Sequence, residues 1–100
     1  LLDVKRGIKM FDKLGVKILG LVDNMSFFIG DEGKKYKIFG EGGVKKTAEE
    51  FQKEFFGEIP INPEVGNYGD QGKPIVESNP DHEISKIYLD FAEKIKLTYL

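Results

Sequence analysis

The stretch that decides the fold reads Val16-Lys17-Ile18-Leu19-Gly20-Leu21-Val22 and is followed at once by Asp23-Asn24. It is short and nearly continuous in apolar residues, a pattern typical of a parallel strand that is buried on both faces. The two polar residues after it predict the end of the strand. Asn24 is therefore expected at the carboxyl end of a buried strand, which is the edge of an open α/β sheet where ligands bind.

Amphipathic helices are predicted on both sides of this strand. Before it, apolar residues recur at helical spacing at Leu1, Val4, Ile8 and Phe11. Gly15 follows where a left-handed residue would end that helix. A later helix is predicted from the spacing of Val44, Ala48, Phe51 and Phe55. Because an apolar helix face is already under way at Leu1, we expect the chain to begin inside a longer protein.

Residues 25–40 are predicted to form a β-hairpin. Its two aromatic arms flank the turn Gly30-Asp31-Glu32-Gly33, in which glycine supplies a positive φ. We expect packing or dimer contacts from the aromatic side chains of the arms, which are Phe27, Phe28, Tyr36 and Phe39. The stretch Gly40-Glu41-Gly42-Gly43 could bind an anion on free amides, but a flexible turn into the next helix is the better prediction.

The second half of the chain predicts another strand and two helices. The strand is Phe56-Gly57-Glu58-Ile59-Pro60-Ile61, and Asn62-Pro63-Glu64 then has the cap, proline and acidic residue of a helix start. An extended connector is expected at Lys73-Pro74-Ile75-Val76, before a long helix that starts at Asn79-Pro80-Asp81. The predicted inner face of that helix consists of Ile84, Tyr88, Phe91 and Ile95. Strands that alternate with helices imply an α/β fold with a parallel sheet, and two strands are an incomplete sheet.

Composition excludes several classes of function. The 100 residues are 40% hydrophobic and 32% charged, which favours one folded, soluble domain over a disordered chain. The net charge is −2 with mixed signs, so nucleic acid is not an expected partner. The sequence has no apolar run of the roughly 20 residues that cross a bilayer, so no membrane partner is expected. Cysteine is absent and histidine occurs once, so this chain alone cannot assemble a zinc site or a Cys-ligated cluster.

Five segments occur in the order found in one family of ATPases. They are Asp3-Val4-Lys5-Arg6-Gly7-Ile8-Lys9-Met10-Phe11, Val22-Asp23-Asn24-Met25-Ser26, Ile38-Phe39-Gly40-Glu41-Gly42-Gly43, Gly57-Glu58-Ile59-Pro60-Ile61-Asn62-Pro63 and Gly72-Lys73-Pro74-Ile75-Val76. Together they resemble the Mrp/ApbC-type iron–sulfur cluster carriers, which are P-loop ATPases of the SIMIBI group related to MinD and ParA. The resemblance covers essentially the whole chain and matches the C-terminal third of such proteins.

The resemblance implies a fold and a function. Residues 1–100 would form the C-terminal part of a single P-loop ATPase domain with a Rossmann-like three-layer architecture and a hairpin insertion at about 25–40. The whole protein would be a cytoplasmic homodimer that binds ATP, with Mg supplied by the N-terminal part. It would carry an iron–sulfur cluster and transfer it to apo-proteins.

The resemblance also implies an adenine pocket. In related ATPases the residue that corresponds to Asn24 contacts the base, and Pro60-Ile61-Asn62 matches the segment on the other side of the pocket. A carboxamide offers both a donor and an acceptor to an adenine edge. The open alternative is that Asn24 and Asn62 only cap turns after strands.

The sequence departs from the family at the cluster ligands. Members place a Cys-x-x-Cys in the hairpin, and the matching positions here are Gly30 and Gly33. Glycine has no donor atom, and Asp31 and Glu32 are hard oxygen ligands that suit iron–sulfur clusters poorly. We predict an ordinary tight turn. The alternative is that cluster carriage has been lost or moved to other residues. A calcium site is unsupported, since two carboxylates fall short of the usual six to eight oxygen ligands.

Two further features limit the function of this chain. It contains no G-x-x-x-x-G-K-[ST] pattern, so we predict no catalytic residue and no ATP hydrolysis by the chain alone. A MinD/ParA-like ATPase switch without a cluster, or an inert truncated module, therefore remain alternatives to the carrier. His82, among acidic neighbours, is predicted to lie on the solvated surface. The last helix is not notably basic and is not expected to anchor in a membrane.

Overall fold

The computed structural model describes residues 1–37 and 42–99. Within these ranges the chain forms five helices and four strands. They are α1 (Leu2–Lys13), β1 (Leu21–Asn24), β2 (Phe28–Ile29), β3 (Lys35–Tyr36), α2 (Gly43–Glu50), β4 (Phe55–Ile59), α3 (Pro63–Asp70), α4 (Ile75–Ser78) and α5 (Glu83–Tyr99). Among the helices described, none is long and apolar enough to cross a membrane.

The central feature is a parallel pair of strands, β1 and β4. Val22 pairs with Gly57 and Asn24 pairs with Ile59, after an irregularity between Leu21 and Val22. Hydrogen bonds continue the pairing past the strand ends, because Ser26 N–H donates to the Ile59 carbonyl at 3.0 Å. The fold is α/β with a parallel sheet, as predicted.

Helices cover both faces of this pair of strands. On one face Leu21 packs with Ile8 of α1 and Ala48 of α2. On the other face the buried cluster contains residues from β4, α4 and α5, namely Phe56, Ile59, Ile75, Ile84 and Phe91. Two helical layers around a sheet give the three-layer arrangement that the sequence predicted.

The first predicted strand begins later than expected. Its ordered part is Leu21–Asn24, whereas the prediction was 16–22, and the Val16 side chain is half exposed. The reason is the partner strand, since β4 begins at Phe55 and its pairing with β1 starts at Leu21. A strand is defined by the neighbour to which it hydrogen-bonds, and that information lies outside the strand itself.

The predicted end of the second amphipathic helix is wrong. Helix α2 ends at Glu50, and Phe55 is the first residue of β4. Gln52 has a φ of +56° and breaks the helix, and Lys53 N–H closes the turn on the Ala48 carbonyl at 2.8 Å. The spacing of the apolar residues predicted a helix that continued to Phe55 because Phe51 and Phe55 both pack against the same buried cluster, although the helix ends before them.

The connector before the last helix is also different from the prediction. Ile75–Ser78 forms the short helix α4, and the long helix α5 begins at Glu83 rather than at Asn79. The fully buried Ser85 hydroxyl lies 3.1 Å from the Ile75 carbonyl and 2.7 Å from the Asn79 carbonyl. This long-range contact holds α4 against α5 and is not visible in the local sequence.

The hairpin is present, and its two strands lie within the predicted span of 25–40. Strands β2 and β3 are antiparallel, with Phe28 opposite Tyr36 and Ile29 opposite Lys35. The rings of Phe28 and Tyr36 stack with centroids 5.1 Å apart. The predicted segment Ile38-Phe39-Gly40-Glu41 lies outside the described residues.

Candidate functional site

A cavity of about 210 Å³ opens at the carboxyl ends of β1 and β4. All four residues predicted for a binding site line it together, although they come from two separate segments: Asn24, Pro60, Ile61 and Asn62. Met25, Ile59, Val65, Gly66 and Tyr88 complete its lining. The convergence follows from the fold, because parallel strands bring their carboxyl ends to one edge of the sheet.

Asn24 is held by a local hydrogen bond that leaves part of its amide available. Its Oδ1 accepts from the N–H of Met25 at 3.0 Å. Met25 has a φ of +56°, a left-handed conformation that is uncommon for a residue with a side chain. The Asn24 side chain thus stabilises a sharp turn after β1. The cap leaves the two Nδ2 hydrogens and a second lone pair on Oδ1 for a ligand.

Asn62 is the N-cap of α3. Its Oδ1 accepts from the backbone N–H of Glu64 at 2.9 Å, and Pro63 occupies the first helical turn. Both asparagines therefore cap turns, as the alternative interpretation predicted. Capping occupies only the carbonyl oxygen, so it is compatible with a ligand contact through the amino group.

Pro60 and Ile61 form a rigid apolar wall of the cavity. Ile61 N–H donates to the Phe27 carbonyl at 2.7 Å, which ties this segment to the chain that leaves β1. Pro60 is buried and has no N–H to satisfy. An apolar lining with a few directed polar groups is typical of small-molecule sites.

A second cavity, of about 300 Å³, lies on the other side of Asn24. It reaches the start of α2 and is lined in part by Asp23, Ser26 and Gly43. The Ser26 hydroxyl donates to the Asp23 carboxylate at 3.2 Å. Gly42, which precedes α2, has a φ of +69° and supports the predicted turn into that helix.

The tip of the hairpin is a compact turn closed by its own backbone. Gly33 N–H donates to the Gly30 carbonyl at 2.9 Å, and Gly30 N–H donates to the Lys34 carbonyl at 3.0 Å. Gly33 has a φ of +80°, which glycine adopts without steric cost. This is a three-residue hairpin loop with glycine at its left-handed position, so the predicted tight turn is confirmed.

A side-chain hydrogen bond crosses this turn. The Tyr36 hydroxyl donates to the Glu32 carboxylate. This bond lowers the pKa of the Glu32 carboxyl below its usual value and raises the pKa of the Tyr36 hydroxyl. A Cβ atom on Gly30 would lie 2.9 Å from both Glu32 Oε1 and Tyr36 Cε2. A Cβ at Gly30 would require the Glu32 and Tyr36 side chains to shift, whereas at Gly33 the space is open and the positive φ is what favours glycine.

A family model described as "ParA: NUBPL iron-transfer P-loop NTPase" matches residues 1–96. The chain belongs to this family. The resemblance to cluster-carrier P-loop ATPases that the sequence motifs indicated is thereby confirmed.

The NUBPL-type chain has curated relatives with consistent names. It is 43% identical over 94 residues to an "Iron-sulfur cluster carrier protein" of Aquifex aeolicus, covering 93% of this chain and 26% of the relative. It is 42% identical over 96 residues to an "Iron-sulfur protein required for NADH dehydrogenase, mitochondrial" of Arabidopsis thaliana, covering 95% of this chain and 31% of the relative. The chain thus spans between a quarter and a third of the length of these relatives.

A solved structure also resembles this family member. It is a nucleotide-binding protein of Archaeoglobus fulgidus in complex with ADP, in which cobalt was found. The TM-score is 0.62 at 32% sequence identity, over 78% of this chain and 32% of that chain. The agreement extends the family assignment from sequence to three-dimensional fold.

The hairpin of this NUBPL-type chain lacks the chemistry to hold an iron–sulfur cluster. The sequence contains no cysteine, and Gly30 and Gly33, which the resemblance matched to the cysteine positions, lie in a closed turn. Across residues 1–37 and 42–99 no group of three or more His, Cys, Asp or Glu side chains could hold a metal ion.

The expectation for His82 is corrected by the structure. Its side chain is only 14% exposed, and its Nε2 lies 2.7 Å from Glu64 Oε2. Its Nδ1 accepts from the N–H of Ile84 at 3.0 Å, so the proton on Nε2 is the one donated to Glu64. His82 Nδ1 supplies an acceptor for one of the first N–H groups of α5, which have no partner within the helix. The residue links α3 to α5 and is not a surface histidine.

Sequence reasoning missed several residues of the cavity, of which Tyr88 is the largest. It was predicted on the inner face of the last helix, yet it is 38% exposed whereas Phe91 is 8% exposed. A tyrosine among apolar residues carries a signal of its own, because its hydroxyl favours positions with one side open. Nothing in the sequence marked Val65 or Gly66.

Proposed function

We propose that this chain is the C-terminal part of an ATP-binding iron–sulfur cluster carrier, and that its cavity receives the adenine of the nucleotide. The observation that carries the proposal is the convergence of Asn24, Pro60, Ile61 and Asn62 on one cavity at the carboxyl edge of a parallel sheet. The ADP in the related Archaeoglobus fulgidus structure supports a nucleotide as the ligand.

The chemistry of the cavity suits an adenine base. Adenine presents acceptor nitrogens and one amino donor on its edge. The Asn24 amino group donates to such a nitrogen while the second lone pair of its Oδ1 accepts from the base, and Pro60 and Ile61 cover an apolar face. The volume of about 210 Å³ is below the roughly 300 to 1,000 Å³ of pockets for drug-sized ligands, so it accommodates the base and not the whole nucleotide.

The phosphates and Mg are assigned to residues outside this chain. No G-x-x-x-x-G-K-[ST] loop occurs in the 100 residues, so the chain alone does not hydrolyse ATP. In the proposed whole protein, a homodimer in the cytoplasm, ATP binding and hydrolysis accompany transfer of the cluster to apo-proteins. The names of the curated relatives favour this carrier over a MinD/ParA-like switch.

The cluster is the cargo of such a carrier, and this chain supplies no thiolate for it. Cysteine is absent from the 100 residues, so in this proposal the thiolates that hold the cargo come from elsewhere in the protein. The absence of cysteine also favours the second candidate, a nucleotide-dependent switch that carries no cluster. The two candidates share the adenine pocket and differ only in the cargo.

The deciding experiment measures cargo and turnover together. The full-length protein is reconstituted anaerobically with iron and sulfide, and cluster absorbance, bound iron and ATP hydrolysis are recorded. Cluster formation with turnover supports the carrier, and turnover without a cluster supports the switch. Absence of both contradicts the proposal.

The pocket is tested by nucleotide binding. Asn24→Ala is expected to weaken binding of ADP about tenfold, since a hydrogen-bonded amide is lost from a site with few polar groups. Asn67→Ala is the matched control, because Asn67 is an exposed asparagine of α3 that does not line this cavity. Equal affinities for both variants would leave Asn24 with its capping role alone.

A further inference from the structure

Tyr88 lies at the border between the proposed adenine pocket and a third cavity. This third cavity has a volume of about 330 Å³ and is mostly apolar, and its lining includes Pro74, Ile75 and Val76. Val65 and Tyr88 line both cavities. Their side chains therefore form the partition between the two spaces, and the Tyr88 ring is the only aromatic group that lines the adenine pocket among the described residues.

The Tyr88 ring packs against Phe91, a residue of the buried core. Its centroid lies 6.4 Å from that of Phe91 at an interplanar angle of 75°. Phe91 in turn lies 6.3 Å from Phe56 of β4, and both phenylalanines are buried. Edge-to-face contacts of this kind fix ring orientation. Tyr88 is thus the exposed member of a series of three packed aromatic rings, of which Phe56 and Phe91 are buried.

The Tyr88 side chain is less buried than the core residues of the same helix. Its side chain is 38% exposed, whereas Ile84, one turn earlier on α5, is 1% exposed. The hydroxyl of Tyr99 donates to the Leu19 carbonyl at 3.1 Å and so serves the fold. The Tyr88 hydroxyl makes no hydrogen bond to any residue in the described parts of the chain. A rigid, half-open ring beside an empty cavity is suited to contact with a flat ligand.

We infer that Tyr88 is a base-contacting residue, whose ring packs against adenine while Asn24 contacts the edge of the base. This inference rests on the proposed adenine pocket and extends it with a division of roles. A ring face attracts every base similarly, whereas an amide discriminates among bases through their hydrogen-bonding edges. Tyr88 therefore supplies affinity and Asn24 supplies selectivity for adenine over guanine.

The test compares two substitutions at Tyr88 in the full-length protein. Tyr88→Phe keeps the ring and is expected to bind ADP within twofold of the parent. Tyr88→Ala is expected to bind about tenfold more weakly, which corresponds to about 1.4 kcal/mol. The ratio of ADP to GDP affinity should stay unchanged in both variants. Asn24→Ala, in contrast, should lower that ratio.

A spectroscopic signature separates ring contact from a merely structural effect. The emission of 2-aminopurine riboside 5′-diphosphate, an isomer of ADP that keeps free ring nitrogens and an amino group, is quenched when its base stacks on an aromatic ring. We expect equal quenching in the parent and Tyr88→Phe, and weaker quenching in Tyr88→Leu, which keeps the apolar bulk and so maintains the fold. Tyr88→Leu decides the case if Tyr88→Ala fails to fold, as judged by circular dichroism.

The outcomes distinguish a failure of the Tyr88 inference from a failure of the proposed adenine pocket. If Asn24→Ala weakens ADP binding while Tyr88→Leu and Tyr88→Ala bind and quench like the parent, the role of Tyr88 is refuted and the pocket stands. If Tyr88→Ala alters the ADP to GDP ratio as strongly as Asn24→Ala, the division of roles is wrong. If the parent protein binds no adenine nucleotide, the proposed pocket itself fails.

Discussion

Replacing Gly57 with alanine tests the backbone conformation that shapes β4. Gly57 has a φ of +144°, in a region that residues with a Cβ rarely adopt, and it pairs with Val22 in the parallel sheet. Forcing alanine into such a conformation costs on the order of 1–3 kcal/mol. A Cβ at this position would also lie 3.1 Å from Cε1 of Phe91, which is closer than an ordinary contact.

The Phe91 ring cannot move away freely. It is 8% exposed and packs between Phe56 and Tyr88, so a shift of the ring disturbs the core and costs roughly 1 kcal/mol for a strained side-chain rotamer. Together the two effects predict that Gly57→Ala lowers the free energy of unfolding by about 2–4 kcal/mol. For a domain of this size each kcal/mol lowers the melting temperature by roughly 4–8 °C.

Chemical denaturation followed by far-ultraviolet circular dichroism measures this change. Gly7→Ala is the matched control, since Gly7 lies inside α1 and a Cβ there would meet nothing within 4 Å. Alanine is the better helix former by about 1 kcal/mol, so this control should be neutral or more stable than the parent. A Gly57→Ala protein within 0.5 kcal/mol of the parent, or a control that is destabilised equally, would refute the argument from backbone geometry.

Three further changes have expected outcomes that follow from single contacts. Asn62→Ala removes the cap of α3 and should cost about 1 kcal/mol in thermal denaturation, whereas Asn62→Asp should keep most of it. Tyr36→Phe should raise the lowered pKa of Glu32 toward its usual value in a carboxyl-carbon NMR titration, because the hydrogen bond from Tyr36 is the largest cause of the lowering and a backbone hydrogen bond remains. In the parent, the stabilising bond is present above the unfolded pKa of Glu32 and is lost as the pH falls through the folded pKa. His82→Ala should cost about 1 kcal/mol through loss of the α5 cap, and His82→Asn, which keeps an acceptor, should cost less although it loses the contact with Glu64.

The features that the sequence predicted correctly are those with local causes. The Asn62-Pro63-Glu64 start of α3 depends on one side chain that caps its own helix, and the structure has that cap. Gly15 ends α1 in a left-handed conformation with a φ of +74°, as the sequence indicated. The hairpin turn follows equally from the two glycines that flank Asp31-Glu32. Each of these signals is complete within a few residues, so the remainder of the chain cannot alter it.

The features that the sequence predicted wrongly depend on distant partners. The start of β1 is set by β4, and Phe55 joins a strand instead of a helix because it pairs with Leu21. His82 is drawn from the surface by Glu64, a residue of another helix. The candidate site shows both cases. Asn24 and Asn62 were predictable as residues after strands, but Tyr88 reaches the cavity only through the packing of α5 on Phe56.

The proposed adenine pocket and the tip of the hairpin lie at opposite ends of the hairpin. The base of the hairpin is bound to the pocket, because Ile61 N–H donates to the Phe27 carbonyl and Lys37 forms an ion pair of 3.3 Å with Glu58. Gly30 and Gly33, the positions that the family resemblance matches to cysteines, lie at the opposite end, where the turn is closed by its own backbone and by the Tyr36–Glu32 bond. A change at the tip therefore leaves the contacts of the pocket in place. The proposed nucleotide pocket and these two positions lie at different ends of the same hairpin, so the two proposed functions have to be measured separately.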